Sequence, residues 1–157
     1  MWTPYALAAL VFVLDQLSKW WILEVVRLRE IGFVDVLPVF RLTFVGNVGV
    51  SMGLFGAGSE VQRWALVAVT GGIALAVAIW AAREKNRWDG AALGLVLGGA
   101  VGNIVDRVRF GYVVDFLHVF WGEWSFWVFN IADGAITIGV LMLLLRALMP
   151  DKDKTHA

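Results

Sequence analysis

Two carboxylates stand where a chain this apolar has little use for them. Asp115 lies in "GYVVDF", and Asp133 lies in "FNIADGAITIGV", just inside an apolar run from Ile131 to about Met149. Two carboxylates that converge in a poorly solvated site cannot both ionise easily, so they share a proton and split into a base and an acid. The base can activate a water against a carbonyl carbon, and the acid can protonate the leaving amine. That chemistry is peptide hydrolysis. The blander alternative makes Asn130 an N-cap and Asp133 a favourable charge in the first turn of a helix. Taken singly, Asn130 and Asp133 are better explained that way. Their shared position, at the ends of adjacent spans on one face of a membrane, shifts the balance toward chemistry.

The elements that must carry these residues follow from composition. The chain has 157 residues and is 60% hydrophobic. About 20 apolar residues cross roughly 30 Å of hydrocarbon, and four such segments run at about 4–23, 62–82, 90–107 and 129–149. The expected fold is an all-α integral membrane protein, a single polytopic domain over residues 1–157. A small β-rich extracytoplasmic cap, about 24–60, is expected between helices 1 and 2, because "FRLTFV" alternates and glycines and Pro38 punctuate it. The connection "RFGYVVDFLHVFWGEWSFWVF" between helices 3 and 4 is rich in tryptophan and phenylalanine and reads as an interfacial segment. Residues 150–157 read as a solvated tail. The start lacks a basic n-region and a small-residue cleavage site, so it reads as a retained first helix. Arg83, Lys85 and Arg87 crowd the short 2–3 loop, which favours both termini inside. The Asp133 end of helix 4 then shares a side with the cap.

Other ionisable residues also sit within the spans, where they are costly and are usually paired or functional. Helix 1 holds Asp15 and Lys19, four apart and able to pair, with Gln16 and Ser18 between. Gly94, Gly98 and Gly102 repeat every four residues in helix 3, a smooth stripe for close helix packing. Asn103, Asp106 and Arg107 follow directly. An Asp106–Arg107 surface pair with a capping Asn103 is the plain alternative to a functional cluster there. A proton- or ion-coupled transporter using Asp15, Lys19, Asp106 and Asp133 as a relay, or a scaffold locked by polar contacts, would use the same residues. The relay predicts carboxylates spread through the bilayer depth, whereas these crowd toward one side.

Other chemistries fit less well. There is no cysteine and therefore no disulfide or thiolate. The histidines, His118 and His156, are far apart and form no H-E-x-x-H metal motif. No G-x-S-x-G is present, and adjacent Ser18 and Lys19 do not face each other on a helix. A net charge of zero offers no case for nucleic acid.

Four stretches, in order, resemble one family. "DQLSK" is similar to D-Q-x-[ST]-K and "NVGVSM" to N-x-G-x-A-F. "GGAVGNIVDRVRFGYVVDF" is similar to G-G-x-x-G-N-x-x-D-R-x-x-x-G-x-V-x-D-F, and "FNIAD" to F-N-x-A-D. The chain resembles the bacterial lipoprotein signal peptidases (signal peptidase II), four-helix membrane aspartyl peptidases. The resemblance implies that Asp115 and Asp133 are the catalytic dyad. It places Asn47, Gly49, Asn103, Arg107 and Asn130 around the site, and Asp15, Lys19 and Asp106 in support of the architecture. It implies a prolipoprotein substrate with a diacylglyceryl-modified cysteine, cut just before that cysteine. It further implies the outer leaflet of the cytoplasmic membrane, cytoplasmic termini, no metal or other cofactor, and inhibition by the cyclic peptide globomycin. Ser51 and Met52 stand where the family has Ala and Phe, which puts substrate and inhibitor contacts of the cap at issue. Ser18 in place of Thr is minor.

Overall fold

A computed structural model describes residues 4–49 and 59–149. Ser51, Met52 and the expected tail lie outside the described residues. Helix α1 spans Pro4–Trp20 and runs on through a π-helical turn, Trp21–Val25; a single turn, α2, follows at Leu28–Ile31. Strands β1 (Phe33–Leu37) and β2 (Phe40–Asn47) come next, then α3 (Glu60–Arg83) and α4 (Arg87–Phe110). Strands β3 (Val113–Trp121) and β4 (Trp124–Phe129) lead into α5 (Ile131–Leu148). Four of these helical segments are long and apolar enough to cross a membrane: Pro4–Val25, α3, α4 and α5.

The helix ends differ from the hydropathy estimates by a few residues, and the caps explain why. Ser59 accepts the Gln62 N–H and starts α3; Asn86 accepts the N–H groups of Trp88 and Asp89 and starts α4. Gly111, at φ +82°, ends α4 in the left-handed conformation that glycine adopts without penalty. Hydropathy sees none of these signals, because the caps lie outside the apolar runs.

Helix α4 is the most buried of the four and packs against α1, α3 and α5. Its glycine stripe makes this possible. A Cβ on Gly94 would meet the Pro4 carbonyl oxygen at 2.5 Å, and one on Gly98 would meet the Ala8 carbonyl oxygen at 2.5 Å. The expected packing stripe is therefore the α1–α4 contact. On α5, Gly139 leaves room in the same way for the Ala92 carbonyl of α4.

The connection between the third and fourth long helices corrects the all-α expectation. It is not merely a surface segment but a β-hairpin, β3–β4, turning at Gly122–Glu123 with Gly122 at φ +59°. The four strands form one antiparallel sheet in the order β1-β2-β3-β4. The cap strands thus continue into the hairpin, with Asn47 opposite Val113 and Val45 opposite Asp115. β-branched and aromatic residues dominate both hairpin strands, which suits a pleated surface better than a helix. Ile22, Leu28, Val114 and Phe116 form the core between the sheet and the end of α1.

Packing at the stripe is testable by contrast. Gly98→Val is expected to destabilise by about 1–3 kcal/mol, because the added atoms have nowhere to go. Gly72→Ala, on α3 with open space around the position, should be neutral or gain up to about 1 kcal/mol of helix propensity. Thermal unfolding of the detergent-solubilised protein reads both.

Candidate active site

Asp115 enters from the start of β3 and Asp133 from the first turn of α5. Both line one cleft of about 1050 Å³, between β2, β4 and α5. Asp115 is buried, at 1% exposure. Its Oδ1 accepts from Asn130 Nδ2 at 2.7 Å and its Oδ2 from Asn47 Nδ2 at 2.9 Å. Asp133 Oδ1 accepts from Asn103 Nδ2 at 2.8 Å, and its Oδ2 accepts the Asn130 backbone N–H at 3.3 Å. Asn130 Oδ1 in turn accepts the Asp133 N–H at 2.9 Å. Asn130 and Asp133 are therefore a capping box, as the plain alternative requires. The same Asn130 side chain also grips Asp115, which a cap does not require. One residue thus holds both carboxylates, Asp115 through its side chain and Asp133 through its backbone N–H.

Asn47 is itself held. Its Oδ1 accepts the Gly49 N–H at 2.9 Å, which aims Nδ2 at Asp115. Gly49 sits at φ +103°, and a Cβ there would meet Leu66 Cδ1 at 2.5 Å, so this turn has no room for a side chain. Removal from water raises the Asp115 carboxyl to about 6; the Asn47 hydrogen bond works against this, and the charge of Asp133 adds to it.

Beneath the pair lies a buried charge cluster. The three donors of Lys19 Nζ meet three acceptors: Asp15 Oδ2 at 2.8 Å, Asp106 Oδ2 at 2.8 Å and Asn103 Oδ1 at 3.3 Å. The Lys19 contact settles which way the Asn103 amide faces, and so presents Nδ2 to Asp133. The carboxylates also take backbone donors. Asp15 Oδ1 accepts the N–H of Ala132 at 3.0 Å, and Asp106 Oδ2 accepts the N–H of Val114 at 3.0 Å. Ala132 and Val114 are the residues immediately before Asp133 and Asp115. The Asp106–Arg107 surface pair is thereby corrected: Asp106 is fully buried and pairs with Lys19.

Arg107 reaches Asn103 O at a long 3.5 Å, and its buried Nε has no hydrogen-bond partner among the described residues. Its charge acts on Asp133, Asp115 and Asp106. All ten residues singled out in the sequence thus gather at one end of the bundle. Two others in the arrangement were not singled out. Gln16 Nε2 donates to Asp106 Oδ1 at 3.0 Å and to Asp15 Oδ2 at 3.2 Å; its only signal was its place inside "DQLSK". Arg63 donates to the carbonyls of Arg107 (2.8 Å) and Val108 (2.6 Å), pinning α3 to the end of α4. No local pattern marks it.

Removing the ammonium while keeping the volume leaves two buried carboxylates facing each other. Lys19→Met is expected to cost about 3–5 kcal/mol, in the range for breaking a buried pair. Chemical or thermal unfolding in detergent checks this, and loss of less than 1 kcal/mol would contradict the geometry.

Residues 7–149 match the family model for Signal peptidase (SPase) II. The chain is 54% identical over 154 residues to the lipoprotein signal peptidase of Rhizorhabdus wittichii, covering 98% of this chain and 90% of that protein. It is 50% identical over 143 residues to the lipoprotein signal peptidase of Sphingopyxis alaskensis, covering 90% and 83%. A solved bacterial membrane enzyme, determined by the in meso method at 2.3 Å resolution, has a TM-score of 0.82 at 28% identity, covering 99% of this chain and 93% of that one. The chain belongs to the signal peptidase II family.

Proposed function

We propose that this chain is a membrane aspartyl endopeptidase that removes the signal peptide from diacylglyceryl-modified prolipoproteins, cutting just before the lipidated cysteine. The observation that carries the mechanism is the joint hold of Asn130 on both carboxylates, which face one cleft. One proton is shared by the pair. The ionised carboxylate takes a proton from a water, whose oxygen adds to the scissile carbonyl carbon. The protonated carboxyl gives its proton to the amide nitrogen as the C–N bond breaks. The products are a free carboxyl end on the signal peptide and a free amine on the lipidated cysteine. Burial favours the proton on Asp115 in the resting site. The proposed setting is the bacterial cytoplasmic membrane, with cytoplasmic termini, the cleft at the outer leaflet and the aromatic hairpin at the interface. Lipid anchoring then fixes the depth of the substrate, so positioning comes from the bilayer.

Wild type, Asp115→Asn and Asp133→Asn should be incubated with a diacylglyceryl-modified prolipoprotein, with globomycin as an inhibitor control. Only wild type is expected to release signal peptide, with all three proteins comparably stable. Persistent cleavage by Asp115→Asn would sink the dyad.

The pH dependence has a defined sign. Asp115 carries its proton below about 6, so kcat/KM should fall as pH rises through that value. Asn47 stabilises the ionised form. Asn47→Leu removes that donor, so the alkaline limb should move to higher pH; a downward move would contradict the assignment.

A further inference from the structure

Gly134 follows Asp133 and lines the same cleft, together with Thr137 and Ile138. A glycine inside a helix costs about 1 kcal/mol relative to alanine. Close approach accounts for Gly99 and Gly139, where a Cβ would strike a carbonyl of the neighbouring helix. No such reason exists at Gly134: no atom of the described residues comes within 4 Å of the Cβ position. Gly71 and Gly72 are equally open, but they do not line the cleft. Space at Gly134 is space beside the reacting carboxylates.

Thr137 lies one turn further along α5. Threonine in a helix ordinarily returns its hydroxyl to a carbonyl of the preceding turn, as Thr70 does to Leu66 O at 2.6 Å. Thr137 does not, and its hydroxyl has no partner among the described residues. Its side chain is exposed into the cleft, and a hydroxyl left unpaired once a ligand displaces solvent is costly, which points to a partner supplied by the ligand.

The cleft wall then continues into hydrocarbon. Ile138, Leu141 and Leu145 are all more than half exposed, and their spacing puts them on one side of α5. Phe126 and Trp127 bound the cleft opposite. A ligand that fits has a slim polar head, one accepting oxygen about 6 Å along the helix from the dyad, and apolar tails beyond. We propose that Gly134 and Thr137 are specificity-determining residues for the lipid of the substrate. The glyceryl carbons lie over Gly134, an ester carbonyl accepts from the Thr137 hydroxyl, and the acyl chains leave along Ile138, Leu141 and Leu145. This rests on the substrate class proposed above.

The test compares two prolipopeptides, one with ester-linked acyl chains and one with ether-linked alkyl chains that lacks the carbonyls. Thr137→Val is expected to lower kcat/KM about three- to tenfold on the ester substrate, the worth of one neutral hydrogen bond. On the ether substrate the ratio of wild type to variant should fall to about one. Gly134→Leu should raise KM at least about tenfold on both substrates with no loss of thermal stability, because the Cβ position is open among the described residues. Equal Thr137→Val effects on the two substrates, or unchanged kinetics in Gly134→Leu, would overturn this inference and leave the peptidase reading standing. Failure of wild type to cleave either substrate would overturn both.

Discussion

The arrangement depends on one buried ammonium. Lys19 is 2% exposed and sits between two fully buried carboxylates, Asp15 and Asp106. Taking three charges out of water costs several kcal/mol per ion, offset only where every donor and lone pair is matched. Here the matching reaches into the backbone. Asp15 holds the N–H of Ala132 and Asp106 holds the N–H of Val114. The beginnings of α5 and of β3 are thereby tied to the same point on α1 and α4. Since Asp133 and Asp115 are the next residues in each element, their spacing is inherited from the ion triad. Among the described residues the triad reaches the carboxylate of Asp133 through Asn103, yet it decides where both carboxylates stand.

Close packing is the condition for that electrostatics. The stripe that lets α1 approach α4 ends at Gly102, where a Cβ would meet Asp15 Oδ2 at 2.5 Å. A side chain at Gly102 would therefore displace a carboxylate rather than merely thicken a helix. The glycines and the charges are two aspects of one joint: backbones brought close by small residues put a short aspartate within reach of a third helix. In hydrocarbon, where apolar contact between helices gains little over contact with lipid, such packing and hydrogen bonds are what hold helices together.

Much of this was legible in the sequence, for reasons that are local. Four spans follow from run length, the Asp15–Lys19 pair from i,i+4 spacing, the packing stripe from a four-residue glycine repeat, and the Asn130 cap from position. The missing parts are non-local. Asp106 turns inward to Lys19 because neighbouring residues on a helix point about 100° apart, so Arg107 was never its natural partner. The β3–β4 hairpin is hidden because aromatic residues fall on both faces and its register shifts between His118 and Phe120. The pairing of β2 with β3 joins residues about 70 apart in the chain, which no window of sequence shows. Gln16 reaches Gly102 and Asp106, 86 and 90 residues away, and Arg63 reaches Arg107 and Val108, 44 and 45 residues away.

The choice of asparagine at Asn47, Asn103 and Asn130 has a physical consequence for proton traffic. A cation in direct contact would hold a carboxylate ionised across the working pH range. A neutral amide orients a carboxylate with a hydrogen bond of modest net worth and leaves its proton affinity adjustable by solvation. The positive charge is correspondingly set back. Lys19 reaches Asp133 through Asn103, and among the described residues the Arg107 side chain bonds the carbonyl of that same asparagine. Burial can then lift Asp115 toward neutrality, while Asp133 is only part-buried. In the proposed mechanism, two like groups take unlike roles because one is enclosed in the sheet and the other caps a helix, and three amides hold them in place.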